Sequence, residues 1–421
     1  MEEIIAETER IRTDSDLRHV FQLISRASDV VFVPATNDAL TRLHSPLHSM
    51  TIYLVLMGRL KALRIENHSR MALVHTTLAH LDRLMLSFDA RFATIVNVDY
   101  RAHLRELSAL ANSPLLARSL IAFLPKLIAH FSLGNLTCYH ALLTKACLIH
   151  KYHHAALPVI DHDLVRFDHA SSMVNIEDFL LFYYYGGLVY CGLKRWGRAQ
   201  EFMQLCVNAP GRNTSAIQVE ACKRSILLEI ILNGKLLNLE KFISADVIRS
   251  IRFHSKDYFE LGKILDSGNQ GRIQQSLAHY SHTLVRDSTL GLMHYAIEAQ
   301  VDRKVIALQS VYQNSYLKDI CTSEANLLKL AANDKMNIKI SHCTNGTLVA
   351  FIAPKMEYDS LNVSESVNYK IEKLQHAEKA LVLLNIKVGN SKEYLARLTN
   401  RGSSNFIDDE EMVSSSFDFV A

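Results

Sequence analysis

Between Phe179 and Leu193 the chain runs for fifteen residues without a charge, FLLFYYYGGLVYCGL, with two adjacent glycines near its centre. A helix that crosses a bilayer needs about 20 apolar residues, so this run is too short for a membrane segment. On a helical projection its apolar side chains cover every face, and a helix that is apolar all round must be buried all round. The sequence therefore predicts a helix enclosed between other helices.

The residues that follow supply a packing partner for this helix. After a turn at Gly192–Gly197, the segment RAQEFMQLCV repeats apolar residues at helical spacing. The two segments match the helix-turn-helix of a tetratricopeptide repeat, in which large residues pack around small ones that let two backbones approach. The residues predicted to provide this packing are Tyr183, Gly187, Tyr190, Ala199 and Met203.

A related unit lies upstream, with small residues at Thr144 and Ala156. Ala156 precedes its counterpart Ala199 by 43 positions, whereas a regular repeat has about 34 residues. The spacing therefore predicts a degenerate array. We assign residues 1–295 to a tetratricopeptide-like helical array, which makes the predicted fold class mostly α.

Composition favours helix along most of the chain. With 7 prolines and 15 glycines in 421 residues, long helices are seldom interrupted. Residues 1–130 read as successive amphipathic helices, and Pro125 is predicted to kink or divide one of them. A net charge of +3 gives no global electrostatic reason to expect nucleic acid or a membrane surface as a partner.

The pattern of cysteines and the N-terminal segment indicate the cellular compartment of the protein. Seven cysteines are scattered without a CxxC pair, which is typical of reduced core residues in an intracellular protein. The opening MEEIIAETER is acidic, whereas a signal peptide begins basic and continues apolar. We expect the protein in the nucleus and cytoplasm.

Beyond residue 295 the pattern changes to shorter elements. The segments DRKVIALQSVYQNSYLKDIC and SEANLLKLAANDK read as short helices, and two strand-like runs flank the sequence TNGT. Ile338 and Ile340 alternate with polar neighbours, and Asn345-Gly346 is a strong hairpin signal. Helices followed by a two-stranded wing predict a winged-helix module over residues 296–355.

One more helix is predicted over residues 356–390, followed by a tail. The apolar residues of the helix are spaced by three, four or seven and form one stripe. The stripe consists of Val367, Ile371, Leu374, Leu381 and Leu384. Residues 391–421 combine serines with four consecutive acidic residues, a composition typical of a disordered tail.

The sequence contains no constellation that we can assign to catalysis or to a cofactor. His150 and His154 have i,i+4 spacing, but they lie outside any HExxH frame and have no third ligand. The glycine motifs of nucleotide sites and the HxH-containing motif of zinc isopeptidases are missing from the sequence as well. We expect no metal, no cofactor and no enzymatic activity.

The winged helix leaves nucleic-acid binding as an alternative. A recognition helix must bring Lys or Arg to phosphates and base edges. Here it offers only Lys329 and Lys335, which Glu324 and Asp334 offset. Protein assembly is the favoured interpretation.

The order of a helical array, a winged helix and a final helix resembles the PCI-domain family, and its motifs are most similar to the subunit 3 family of the COP9 signalosome. The segments that carry this resemblance are KYHHAALPVIDHD, from Lys151, and EDFLLFYYYGGLVYCGLKRWGRAQEF, from Glu177. That family shows an Ala-Leu-Pro-x-x-Asp segment followed by a Tyr-Tyr-Tyr-Gly-Gly motif. The similarity extends over residues 130–385 and is most specific over 155–200.

The resemblance implies a non-catalytic scaffold in the complex that removes the ubiquitin-like modifier Nedd8 from cullins and so regulates cullin-RING ubiquitin ligases. Its partners would be other PCI subunits and a zinc-isopeptidase subunit. In that family winged helices associate edge to edge and C-terminal helices gather into a bundle. The partner-binding residues predicted on this basis are Ile338, Ile340, Leu348, Phe351, Val367, Ile371, Leu374, Leu381 and Leu384. A paralogous subunit of the proteasome lid or of a translation-initiation complex is the alternative.

Overall fold

The computed structural model describes most of the chain in separate ranges. These ranges are 49–62, 71–84, 100–112, 114–132, 136–162, 175–210, 213–237, 245–309, 311–320, 323–333, 336–343, 346–352 and 361–392, with a few isolated positions beside them. Helices dominate the described residues. The predicted fold class, a mostly α chain of helical repeats, is confirmed.

The chain divides into two compact units, Met1–Ser310 and Val311–Ala421. The described helices of the first unit are α1 (Ser49–Ala62), α2 (Met71–Leu84), α3 (Tyr100–Ala111), α4 (Pro114–Ser132), α5 (Cys138–Ile149), α6 (His153–Ile160), α7 (Ile176–Gly192), α8 (Trp196–Val207), α9 (Ala216–Asn233), α10 (Ala245–His254), α11 (Lys256–Ser267), α12 (Gln270–Arg286) and α13 (Leu290–Gln309). The described elements of the second unit are β1 (Asn314–Tyr316), α14 (Leu317–Ile320), α15 (Glu324–Ala332), β2 (Ile338–Cys343), β3 (Gly346–Phe351) and α16 (Leu361–Gly389).

Helix α7, which contains the uncharged run, lies at the centre of the first unit. It packs against α5 on one side and α8 on the other, and α8 packs in turn against α9. From Asp178 to Cys191 no side chain of α7 is exposed, as expected for a helix that is apolar on every face. In the described part of the chain, no helix combines the length and the apolar composition that a bilayer crossing requires.

Glycines let α7 and α8 approach closely. A Cβ added to Gly186 would lie 2.7 Å from a ring carbon of Phe202, and one added to Gly187 would lie 2.8 Å from the terminal carbon of Met203. The residues predicted to pack this repeat are all buried, namely Tyr183, Gly187, Tyr190, Ala199 and Met203. The side chain that fills the space above Gly187 is thus Met203, one helical turn beyond Ala199.

The same turn closes three helical hairpins of the array. Between α5 and α6, α7 and α8, and α12 and α13, one residue has a left-handed backbone, and these residues are Lys151, Lys194 and Ser288, with φ of 60°, 58° and 54°. In each turn, the N–H of the next residue donates to a carbonyl five positions earlier, which is the Schellman arrangement of a helix C-terminus. The first two turns lie 43 positions apart, the same offset that the sequence gives for the repeat.

The array continues through α9, whose two ends are both capped. The Ser215 hydroxyl accepts a hydrogen bond from the Ile217 N–H, and the Gln218 side chain accepts one from the Ser215 N–H, which forms a capping box. At the other end Gly234 has φ of 72°, and the Arg303 guanidinium of α13 donates to the carbonyl of Ile230. Helix α9 also packs along α11 and α13, so it joins the middle of the array to its last helix.

Helices α1 to α5 form the preceding part of the array. Helix α4 begins at Pro114, and proline suits the first turn of a helix because its missing N–H would have no partner there. Pro125 lies inside α4 without dividing it, so the part of the prediction that allowed a divided helix is wrong. Residues 1–48, which belong to the segment predicted as successive amphipathic helices, lie outside the described residues apart from isolated positions.

The second unit holds a three-stranded antiparallel sheet in the order β1-β3-β2. The chain order β1, α14, α15, β2, β3 together with this strand order fits a winged helix. The segment NSY at Asn314–Tyr316, predicted as helix, is instead strand β1, because it pairs with Leu348 to Ala350 of β3. Gly346, predicted as part of the hairpin turn, instead pairs with Cys343 as the first residue of β3, and Asn345 lies outside the described residues.

Candidate protein-interaction surfaces

The two sequence motifs that carry the family resemblance contact each other. The Tyr190 hydroxyl of α7 donates to the Asp161 carboxylate at 2.7 Å and to the carbonyl of Ile160 at 3.0 Å. Arg195, in the turn after α7, forms an ion pair with the same carboxylate at 3.2 Å. Burial and the neighbouring carboxylate raise the pKa of Tyr190, so its hydroxyl stays protonated and donates. The Ala-Leu-Pro-x-x-Asp and Tyr-Gly-Gly segments therefore form one joint between successive hairpins.

A buried ion network connects α9 with the turn between α12 and α13. Lys223 Nζ lies 2.8 Å from the Asp287 carboxylate and 2.6 Å from that of Glu220. The side chains of Lys223 and Asp287 are only 9% and 7% exposed. Arg224 pairs with Glu220 at 2.7 Å and donates to the Asp287 carbonyl at 3.1 Å. The Tyr258 hydroxyl of α11 also donates to the Asp287 carboxylate, at 3.2 Å.

The network keeps its groups charged although they are buried. Burial alone would raise the pKa of Asp287, but hydrogen bonds from Lys223 and Arg286 outweigh it and hold this pKa below its ordinary value. Burial alone would lower the pKa of Lys223, and the hydrogen bonds to Asp287 and Glu220 reverse that effect. A buried pair of this kind fixes the relative position of the elements that carry it. We interpret the network as structural.

Another buried polar group, His140, begins helix α5. Its Nδ1 accepts the N–H of Thr137 at 3.0 Å, and the Thr137 hydroxyl lies 2.9 Å from the same nitrogen. Burial lowers the pKa of His140 to about 4. The imidazole is therefore neutral at pH 7, where it acts as the reciprocal partner in a capping box.

His150 and His154, the histidine pair with i,i+4 spacing, have different surroundings. His150 Nε2 lies 2.7 Å from the Ala111 carbonyl oxygen, and His154 is exposed on α6. Within the ranges that the structure describes, no three His, Cys, Asp or Glu side chains are placed to hold one metal ion.

Four of the described thiols are protonated core groups. Burial raises the pKa to about 12 for Cys147, Cys191, Cys206 and Cys222. Reactive cysteines need a thiolate at neutral pH, so these four pack as small apolar residues.

A cleft of about 360 Å³ lies between α12 and α13. Its walls include the apolar side chains of Ile273, Leu277 and Ile297, with His294 and Lys304 at polar positions. Lys304 Nζ already donates to the carbonyl of Gly268 at the end of α11, where it caps that helix. The cleft thus contains no pair of groups arranged as nucleophile and base.

The winged-helix sheet of the second unit has two different faces. Ile338 and Ile340 of β2 lie opposite Phe351 and Val349 of β3, and since alternate residues share a face, these four form the inner side. Phe351 is only 9% exposed, and Val349 is fully buried. Leu348 lies on the other face of β3. Of the residues predicted to bind partners, Ile338 and Ile340 therefore lie on an edge strand, whereas Leu348 and Phe351 lie on the central strand.

The described edges of the sheet differ in chemistry. Val311 and Tyr312, just before β1, and Tyr316, its last residue, have exposed apolar side chains. On β2, Lys339 and His342 are exposed, and His342 lies 3.5 Å from Glu324 of α15. Because β3 is paired on both sides, only β1 and β2 have backbone groups that face away from the sheet.

Helix α16 exposes the apolar stripe that the sequence predicts. Every side chain from Val363 to Val388 is exposed, including those of the stripe, Val367, Ile371, Leu374, Leu381 and Leu384. Large apolar side chains outside the stripe are exposed as well, and these are Val363, Tyr369, Val382, Leu383, Ile386 and Val388. Soluble proteins seldom expose a contiguous apolar surface of this kind unless it binds a partner.

Stacked helical hairpins, a small winged-helix unit and an exposed apolar helix together define a helical-repeat protein with surfaces suited to assembly. The sequence profile described as COP9 signalosome complex subunit 3, N-terminal helical repeats, matches residues 14–248. This chain belongs to the family of COP9 signalosome complex subunit 3.

Individual relatives agree with this family. COP9 signalosome complex subunit 3 of Arabidopsis thaliana is 26% identical over 294 residues, which cover 67% of each chain. COP9 signalosome complex subunit 3 of Dictyostelium discoideum is 24% identical over 274 residues, which cover 63% of this chain and 65% of the relative. The alignments thus span about two thirds of the length of these relatives.

Proposed function

We propose that this chain is a non-catalytic scaffold subunit of the COP9 signalosome, present in the nucleus and cytoplasm. The complex would remove Nedd8 from cullins, and the catalytic zinc-isopeptidase would be another subunit. The observation that carries the proposal is the exposed apolar surface of α16 in a chain whose repeats belong to the subunit 3 family. An apolar helix surface gains free energy only when another surface removes it from water.

The second unit would act as a PCI module with two means of attachment. Edge strand β2, which carries Ile338 and Ile340, would pair with a strand of a neighbouring subunit through its free backbone groups. Leu348 and Phe351 would support that contact from the central strand. The stripe of α16 would pack into a bundle with the C-terminal helices of other PCI subunits.

The composition of α15 supports protein partners over nucleic acid. In its described residues the acidic Glu324 offsets the basic Lys329, whereas phosphate binding depends on an excess of cationic side chains. Glu324 also lies 3.5 Å from His342 of β2. The described residues of α15 would therefore present no excess of cationic side chains to a partner.

The experiment that tests the proposal is a native pull-down of the tagged full-length chain. The eluate is analysed by mass spectrometry and assayed for removal of Nedd8 from a cullin. We expect other PCI subunits, a zinc-isopeptidase subunit and activity to be recovered together. Recovery of proteasome-lid or translation-initiation subunits instead would assign the chain to a paralogous complex and overturn the proposal.

A pair of variants tests the role of α16 within the same assay. Ile371→Asp combined with Leu374→Asp places two charges on the apolar stripe, so we expect the chain to be lost from the complex. The matched control, Glu372→Lys combined with Lys373→Glu, changes two side chains between these positions and keeps the net charge. All four positions are exposed, so the fold should survive in both variants, as circular dichroism will check. Equal incorporation of the two variants would refute an attachment through this stripe.

A further inference from the structure

The two hairpin turns that lie 43 positions apart carry lysines in an unusual backbone conformation. Lys151 lies two residues after α5 and Lys194 two residues after α7, and their φ angles are 60° and 58°. Glycine most often occupies this position at the end of a helix, because a Cβ makes the left-handed region unfavourable. A lysine at each turn therefore costs stability that a glycine would not.

The two turns lie side by side. A Cβ added to Gly192 would lie 3.0 Å from Nε2 of His153, so the start of α6 contacts the end of α7. Lys151 and Lys194 are each two residues away from this contact, and adjacent Cα atoms are about 3.8 Å apart. The Cα atoms of the two lysines are therefore within about 25 Å of each other, a span that about eight residues of extended chain can cover.

Both lysines lack a counter-charge. Among the residues that the structure describes, neither Lys151 nor Lys194 forms an ion pair, and both side chains are exposed. The neighbouring Asp161 carboxylate already pairs with Arg195 at 3.2 Å and accepts the Tyr190 hydroxyl at 2.7 Å. The lysines are thus available to carboxylates from outside the chain.

The positive charge of these turns acts on His153, which lies between them. Burial lowers the pKa of its imidazole, and the charges of His154 and Lys151 lower it further. His153 is therefore neutral at pH 7, where the lysines supply the positive charge.

Aromatic side chains flank the two lysines. Lys194 Nζ lies 5.2 Å from the ring centre of Tyr295 on α13, and the Tyr295 and Trp196 ring centres are also 5.2 Å apart. A cation that is already ordered loses less entropy when it binds a carboxylate. Beside Lys151, Tyr152 is 49% exposed and offers apolar surface to the same ligand.

The third left-handed turn has a neutral residue, Ser288. The residues on either side of it, Asp287 and Thr289, contact the Tyr258 hydroxyl inside the array. The turn itself therefore does not require a lysine. We relate the lysines of the first two turns to the solvent-facing surface that they share.

We propose that the surface formed by the α5–α6 and α7–α8 turns binds an extended acidic segment of a partner protein. Carboxylates of that segment contact Lys151 and Lys194, and an apolar side chain between them packs against Tyr152. The site belongs to the helical array and requires neither α16 nor the winged-helix sheet, so it goes beyond the proposed function.

Fluorescence anisotropy with the purified full-length chain tests this site. The probe is a fluorescein-labelled octapeptide, Glu-Asp-Glu-Phe-Glu-Asp-Glu-Glu, whose length matches the span between the lysines. In the control peptide each carboxylate is replaced by its amide. We expect the acidic peptide to bind about tenfold more tightly than the control, and its affinity to fall as added salt screens the charges.

Two double variants separate the charge from the backbone. Lys151→Gly with Lys194→Gly removes both cations and relieves both left-handed turns. It should raise the melting temperature by about 2–4 °C and weaken binding of the acidic peptide about tenfold. Lys151→Arg with Lys194→Arg keeps both charges, so binding should stay within about twofold of wild type.

A matched control removes two exposed lysines of α11. Lys256→Ala with Lys263→Ala loses the same charge at another surface, so peptide binding should change by less than about twofold. The site is refuted if the glycine variant binds the peptide like wild type, or if the α11 variant loses as much affinity.

Two other results would overturn the proposal. Tighter binding of an oligothymidylate of about eight nucleotides than of the peptide would assign the surface to single-stranded nucleic acid. A glycine variant that melts below wild type would show that the lysines stabilise the turns, which removes the reason to assign them to a ligand.

Discussion

Replacing Asp287 with alanine should weaken the array more than almost any other single change to a polar residue. The carboxylate accepts hydrogen bonds from Lys223 at 2.8 Å, Arg286 at 3.1 Å and Tyr258 at 3.2 Å. Lys223 and Asp287 are almost fully buried, so the lysine cannot recover its lost partner from water. The variant leaves a buried cation with a single carboxylate, that of Glu220.

The expected cost follows from these contacts. Removing one partner of a buried ion pair costs about 3–5 kcal/mol. Since Glu220 remains 2.6 Å from Lys223, the cost should lie at the lower end, about 3 kcal/mol. For a unit of this size each kcal/mol lowers the melting temperature by about 2 °C, so we expect a decrease of about 6 °C.

Urea unfolding and thermal melting of the purified chain measure this cost. The control is Asp266→Ala, which removes an exposed carboxylate from α11 and should change stability by less than about 0.5 kcal/mol. A double-mutant cycle adds Lys223→Met, which removes the stranded cation. Asp287→Ala should then cost about 2 kcal/mol less in a chain that already carries Lys223→Met than in wild type. If Asp287→Ala is as mild as Asp266→Ala, the network does not stabilise the fold as argued.

Three further changes test other features of the array. Gly187→Leu should cost about 1–3 kcal/mol by overpacking against Met203, and a melting temperature equal to that of wild type would contradict the close approach. Lys194→Gly relieves a left-handed backbone and should add about 0.5–1 kcal/mol to stability in urea; any loss would show that the turn is unstrained. The lowered pKa of His140 stabilises the fold above pH 6.5, and this contribution is lost as the pH falls towards 4. Between pH 7 and pH 5 wild type should lose about 2 kcal/mol more than His140→Gln, and equal losses in urea would refute a neutral buried imidazole.

The α7–α8 hairpin could be predicted from the sequence because its signals are local. An uncharged run with two glycines, a short turn and a second amphipathic segment all lie between Phe179 and Val207. Each signal depends on residues less than one repeat apart, so the spacing alone indicates which faces meet. The exposed stripe of α16 was predictable for the same reason.

Features that depend on distant residues could not be predicted in this way. Lys223 and Asp287 are 64 positions apart, and nothing in either local sequence indicates the other. Strand β1 has only three residues, too few for an alternating pattern, and it is a strand because β3 pairs with it. A continuous α4 through Pro125 likewise depends on tertiary packing, which overrides a local preference.

In the second half of α16 the predicted stripe includes only Leu381 and Leu384. Val382 and Leu383 lie between them in the run LVLL, and both are exposed. A pattern of residues spaced by three and four describes one face of a helix, so it does not capture apolar side chains on the other faces.

The exposed apolar surface of α16 also bears on copies of this chain made in excess of their partners. Such a copy exposes the adjacent Leu383 and Leu384 to water, and exposed surface of this kind promotes aggregation and capture by chaperones. Because quality control removes chains of this type, we expect the cellular level of this chain to follow the supply of its partners.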